Sequence, residues 1–330
     1  MTDWRADGPD ATRQTEPRQT EPRQTEPRQT DACDDDAVDV STLELPGMPG
    51  AELVPVRPSR SERDADREVR DSDVDGWGRS ERVRAVARRL YDPVYRRWFR
   101  VEWEGLEHIP REGGALIIAN HGGAIPSDAP VIMHGVETEL GRPVYGLADN
   151  LFRRVPVIGT LWARSGGVPA HPDNAFRLLH DEQQLVLAFP EGTKATGKLA
   201  RDRYQLQRFG RGGFVEIAMR AGVPIVPVAI VGNEEAMPIV WKSSLLARLI
   251  GVPYFPVTAN QFLFGPVLGL VVPLPAKFRL RVLPPVTFDV ATNQSRYNRS
   301  LVMEHAEAIR ASIQAAVNDM LRTRQSVWSG

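Results

Sequence analysis

Gly114-Ala115-Leu116-Ile117-Ile118-Ala119-Asn120-His121-Gly122-Gly123-Ala124-Ile125-Pro126-Ser127-Asp128-Ala129-Pro130-Val131-Ile132-Met133 is the stretch from which the fold is read. The apolar run Gly114 to Ala119 has the length and character of a buried strand. From Ala129 the chain turns apolar again behind an early proline, the pattern of a helix start with Ser127 or Asp128 as its cap. Between the two lies a glycine-rich turn that carries His121. Strand, turn and helix in this order form the unit of an α/β sheet, whose functional groups gather at the carboxyl ends of the strands. A histidine there, with a carboxylate a few residues on to fix its tautomer, suits a general base. The same residues also suit a tight turn and a capped helix with no chemistry.

Working outward, the alternation of strands and helices continues. Residues 101–106, 143–148, 165–170, 184–189, 224–231 and 278–283 read as strands. Helices are expected over 174–181 with Asp173 as cap, over 214–221 with Gly222 behind it, and over 296–324. The result is an α/β fold: a mixed, largely parallel central sheet flanked by helices. His121, Glu191 and Glu234 each follow directly on one of these strands. Their shared placement strengthens the case for chemistry.

Residues 80–100 form an amphipathic pattern, with Val83, Val86, Ala87, Leu90, Val94, Trp98 and Phe99 on one side and arginines elsewhere. Pro93 should break or bend that helix. A basic amphipathic segment with Trp and Tyr suits an anionic bilayer surface, and equally a helix docked on its own domain. Residues 244–275 crowd apolar side chains between prolines and suit an interfacial loop, the wall of an acyl-chain tunnel, or core.

The chain has 330 residues, with 42% hydrophobic and 25% charged. Its net charge of -1 is unevenly spread: residues 1–80 carry about -9 and the remainder about +8. A mildly basic folded part suits an anionic surface or small anions and is too weak a signal for nucleic acid. Glu-Pro-Arg-Gln-Thr recurs three times from Glu16 to Thr30, so residues 1–78 are expected to be a disordered low-complexity arm, inert or partner-binding, ahead of a folded domain over 79–330. A single cysteine, Cys33, excludes an intrachain disulfide. No secretory leader and no apolar run of transmembrane length is read. No metal-ligand cluster or nucleotide-binding loop is present in the pattern, so neither metal nor cofactor is expected.

Two glycine turns carry a resemblance. Asn120-His121 with Asp128, then Phe189-Pro190-Glu191-Gly192-Thr193-Lys194, and the proline-flanked Val223-Pro224-Ile225-Val226-Pro227-Val228 resemble three motifs of the glycerolipid and lysophospholipid acyltransferase superfamily, the 1-acylglycerol-3-phosphate acyltransferase group. The match runs over about residues 98–290. Two departures stand out. The His–Asp spacing is longer than the family's, and this glycine-rich version is similar to the branch with diacylglycerol-type acyltransferases. The family's second motif ends in a phosphate-binding Arg, whereas here Gly167-Val168-Pro169-Ala170-His171 occupies the place. Arg164 or Arg211 could take over that task, and a neutral acceptor such as diacylglycerol or a long-chain alcohol stays open.

The resemblance implies acyl transfer from acyl-CoA or acyl carrier protein to a lipid hydroxyl, at a membrane surface, by a cytoplasmic, peripherally associated protein. His121 would be the base and Asp128 its partner. Gly122 and Gly123 would offer N–H groups to an oxyanion. Glu191, Gly192 and Thr193 would position the acceptor head, and Lys194, Arg211 and Arg164 would meet phosphate. Lipid or thioester hydrolysis and non-catalytic lipid binding are the alternative readings.

Overall fold

The computed structural model describes residues 73–148, 156–250 and 255–329, apart from 293 and 295. The arm expected over 1–78 lies outside the described residues as far as residue 72, as do 251–254 of the apolar region.

β1 (Glu102–Glu104), β2 (Ala115–Ala119), β3 (Val144–Ala148), β4 (Gly167–Pro169), β5 (Leu185–Ala188), β6 (Ile225–Val231) and β9 (Arg279–Val282) share one sheet, in the order β1-β9-β6-β2-β5-β3-β4. β7 (Ile239–Ser243) and β8 (Phe255–Thr258) form a separate antiparallel pair. In the large sheet every neighbouring pair is parallel except β6 and β9. The mixed, largely parallel sheet read from the sequence is therefore present.

β2 lies in the middle and is buried along its whole length. Strand geometry sends alternate side chains to opposite faces. Leu116 and Ile118 accordingly enter one apolar cluster, and Ala115, Ile117 and Ala119 the other. The helices that cover the faces are α1 (Glu81–Pro93), α2 (Asp128–Leu140), α3 (Pro156–Arg164), α4 (Gly213–Ala221) and α5 (Arg299–Thr323). Val131, Ile132 and Val136 of α2 pack with Tyr95 and Phe99 in the second cluster. Val215 and Met219 of α4 pack with Ile309, Ile313 and Val317 of α5 in the first. None of the described helices is long and apolar enough to cross a membrane.

Two local expectations need correction. The short helix Pro172–Phe176 is capped by His171, whose ring accepts from Asp173 N–H at 3.3 Å, and not by Asp173. Proline fits the first helical position, and its presence at 172 moves the start forward. The second correction concerns α1. It is capped by Ser80, ends at Pro93 as expected, and passes into a wide turn over Val94–Trp98. Its inward side, however, is ionic. Val86 and Leu90 are 56% and 73% exposed, while Arg84 is buried. Arg79, Arg84 and Arg88 all donate to the carboxylate of Glu137 on α2, which is itself buried. The buried carboxylate takes three guanidinium donors, so α1 turns Arg84 and Arg88 toward α2 and leaves Leu90 outside.

Removing one member of a buried ion cluster leaves the others without compensation and typically costs about 3–5 kcal/mol. Glu137→Ala should lower the unfolding free energy by about that amount in urea denaturation. An unchanged midpoint would show that the cluster contributes nothing net.

Candidate active site

β6, β2 and β5 are adjacent and parallel, so the turns that follow them meet at one edge of the sheet. Asn120, just past β2, ties the arrangement together. Its Nδ2 donates to Ile230 O at 3.0 Å, and its Oδ1 accepts from Ile230 N–H at 2.8 Å. The buried amide thereby extends the β2–β6 pairing beyond the last backbone bond. At Gly122 the side chain of Glu234 occupies the space a Cβ would need: its Cγ would stand 2.3 Å away. Only glycine lets these two turns approach so closely.

His121 Nδ1 and Asp128 Oδ2 are 2.8 Å apart. A carboxylate only accepts, so Nδ1 carries the hydrogen; in the neutral ring the lone pair then lies on Nε2. The imidazole stacks on Phe189, with ring centres 4.2 Å apart. Its side chain is 13% exposed, whereas Asp128 is fully buried. Asp128 also accepts from Gly122 N–H at 3.1 Å, Ala129 N–H at 2.8 Å and Asn233 Nδ2 at 3.4 Å. The longer His–Asp spacing is absorbed by the Gly122–Ser127 turn, which brings the pair into hydrogen-bond contact.

Glu191 faces inward. One oxygen accepts from His121 N–H at 3.0 Å and the other from Gln207 N–H at 2.6 Å. Lys198 Nζ lies 3.7 Å from Glu191 and donates to Glu234 at 2.8 Å. Glu234 also accepts from Tyr204 N–H at 3.0 Å. Burial pushes the Glu234 carboxyl up to about 7; Lys198 opposes this, while Glu191 and Asp128 add to it. Tyr204 has a left-handed backbone, φ 63°, and its hydroxyl donates to Glu235, which Arg324 grips at 2.9 Å. Such strain persists only where surroundings fix it.

Not every residue expected at the site is brought to it. Arg164 donates weakly to Gly78 O at 3.4 Å and lines a cavity of about 670 Å³ with Trp77, Trp162 and Val168, beside the ends of β3 and β4. His121, Asp128 and Glu191 do not line that cavity. Arg211 is exposed in the turn before α4, with no bond to the His121–Asp128 pair among the described residues. Gly192 is exposed at the start of the helical turn Thr193–Thr196, and the side chains of Thr193 and Lys194 lie outside the described residues. The Gly122 N–H, expected to face an oxyanion, is committed to Asp128. Gly123 N–H has no acceptor among the described residues. The sequence reading passed over Lys198, Asn233 and the clamp of Asn120. Asn233 sits beside Glu234 just past a strand end, a signal that was available; Lys198 carries no local signal, because its partners are distant in sequence.

The acyltransferase family model, described simply as "Acyltransferase", matches residues 100–231. An uncharacterized protein of Mycobacterium tuberculosis is 41% identical over 249 residues, covering 74% of this chain and 68% of that protein. A "DGAT1/2-independent enzyme synthesizing storage lipids" of Bos taurus is 25% identical over 252 residues, covering 74% of this chain and 71% of the relative. Among solved structures, the 1-acyl-sn-glycerophosphate (LPA) acyltransferase PlsC of Thermotoga maritima matches with a TM-score of 0.48 and 20% identity, covering 74% of this chain and 84% of that one. With the family model set over the strands and turns that build the His121–Asp128 pair, this chain belongs to the acyltransferase superfamily.

Proposed function

We propose that the protein transfers a fatty acyl group from a thioester, acyl-CoA or acyl carrier protein, to a hydroxyl of a glycerolipid acceptor, with His121 as general base. The observation that carries this reading is the His121–Asp128 contact at 2.8 Å, with the imidazole pinned on Phe189 and still reaching the surface. His121 Nε2 takes the acceptor O–H proton as the oxygen attacks the thioester carbonyl carbon. The new C–O bond forms, the C–S bond breaks, and the leaving thiolate takes the proton back from Nε2. Asp128 holds the imidazolium through Nδ1–H. Gly123 N–H, without an acceptor among the described residues, is the candidate donor to the developing oxyanion. Glu191, with both oxygens occupied by N–H groups, supports the His121 turn from behind.

A neutral acceptor is the second reading. The place of the family's phosphate-binding Arg is taken by Ala170 and His171, and Arg164 is turned to a backbone carbonyl. The bovine relative is named for storage-lipid synthesis. Lys194 and Arg211 remain the candidates for phosphate of the donor or acceptor.

Lipid substrates call for a lipid-facing surface, and exposed apolar side chains support peripheral association with a membrane. Leu90 is exposed on α1 and Trp98 just after it, and Trp98 Nε1 donates to Pro273 O at 3.1 Å. That bond places the end of the first segment against the second, where Phe262, Leu263, Val267, Leu268 and Val271 are exposed. Apolar patches of this extent mark interaction sites, and Trp at the margin with Arg97 and Arg100 nearby suits an anionic headgroup layer.

Purified protein supplied with acyl-CoA and a panel of lipid acceptors should form ester, and His121→Ala should lower turnover by about 10²–10⁴-fold. Full activity in His121→Ala would remove it from its role. Thioester release without acceptor, faster than transfer, would turn the reading to hydrolysis. Leu90→Asp with Phe262→Asp should abolish most co-sedimentation with phosphatidylglycerol vesicles while leaving turnover of a short-chain soluble donor and acceptor pair intact; unchanged sedimentation would sink the lipid-facing surface.

A further inference from the structure

Three buried carboxylates meet at the ends of β2, β5 and β6: those of Asp128, Glu191 and Glu234. Negative charge beside a histidine favours its protonated form, which has no lone pair to offer. Among the described residues, one cation with a buried side chain faces the cluster. Lys198 is 4% exposed at its side chain, and its ammonium has three oxygens around it: Glu234 at 2.8 Å, Gln205 O at 3.3 Å and Glu191 at 3.7 Å. Two of its N–H groups have acceptors, Glu234 and Gln205 O, and the Glu191 carboxylate adds a charge contact at 3.7 Å.

The routes from this ammonium to His121 are short. Glu191 accepts from the His121 N–H itself. Glu234 packs its Cγ on Gly122, the residue after His121. We propose that Lys198 is a positioning residue that offsets Glu191 and Glu234 and so keeps the His121 imidazole unprotonated and ready to accept the acceptor's proton. The inference rests on the proposed role of His121 as base.

Among the described residues, the other charges near the cluster have partners of their own. Glu235, next to Glu234, is held by Arg324 and by the Tyr204 hydroxyl. Arg310 on α5 feels the charge of Glu191 but is itself paired with Glu307. Asp128 is bound by His121, Gly122, Ala129 and Asn233. The Glu234 carboxyl, raised to about 7, loses its proton as the pH climbs through neutrality. At lower pH Lys198 then balances Glu191 alone; at higher pH the cluster gains one negative charge. Where Glu234 is ionised, removing the ammonium and removing Glu234 therefore act on His121 in opposite directions.

The test is histidine-selective NMR titration of the full chain, with the His121 signal assigned by its loss in His121→Gln. Lys198→Met should raise the His121 titration midpoint by on the order of one pH unit. Glu234→Gln should lower it. Should Lys198→Met fail to fold, Lys198→Met combined with Glu234→Gln removes the ion pair together, a change that buried pairs tolerate. Compared with Glu234→Gln alone, this double variant should show the same upward displacement. A midpoint unmoved in these variants, or displaced in the same direction by Lys198→Met and Glu234→Gln, would overturn the proposal. The titration reads the resting protein, so its outcome is separate from whether acyl transfer is found. Where transfer is found, the acidic limb of its pH profile should move with the NMR midpoint.

Discussion

Parallel pairing of β5 and β6 on either side of β2 constrains everything at the site. Three chain segments, distant in sequence, must end side by side, and the turns that follow them share one small volume. Asn120 strengthens the constraint by replacing the next backbone bond of the ladder with two side-chain bonds. A buried amide with both its donor and acceptor satisfied is worth more for geometry than for energy, because it admits one alignment of the two strands. The histidine follows immediately, so its place is set by the sheet and not by a free loop.

The same constraint creates an electrostatic problem. Placing Asp128, Glu191 and Glu234 together out of water is unfavourable unless each finds partners. The backbone supplies most of them: the N–H groups of His121, Gly122, Ala129, Tyr204 and Gln207 all point at carboxylate oxygens. These are fixed dipoles on structured turns, so the acids that organise the centre are held without large motion. Phe189 adds the remaining restraint, covering one face of the imidazole.

Much of this was legible in the residues. Apolar runs of strand length point to the seven strands of the large sheet, and position just past a strand end singles out His121, Glu191 and Glu234. What escaped depends on tertiary partners. Helix periodicity reports which residues share a side, not which side faces in, and Glu137 decided that for α1 by drawing Arg84 inward. Gly122 was read as an oxyanion donor because a glycine turn suggests open N–H groups; Asp128 claims that hydrogen. Arg164 and Arg211 are candidates only as stand-ins for the Arg that the resemblance implies, and the fold holds Arg164 at the β3–β4 edge.

The helix that begins at Asp128 also contains Glu137, the seat of α1. Nine residues of helix make a rod of about 13 Å. One end of the rod carries the acid of the His–Asp pair and the other carries the segment with the outward leucine. The place of α1 relative to the His–Asp pair is therefore set by one stiff element and not by a loop, so a shift at either end is carried to the other.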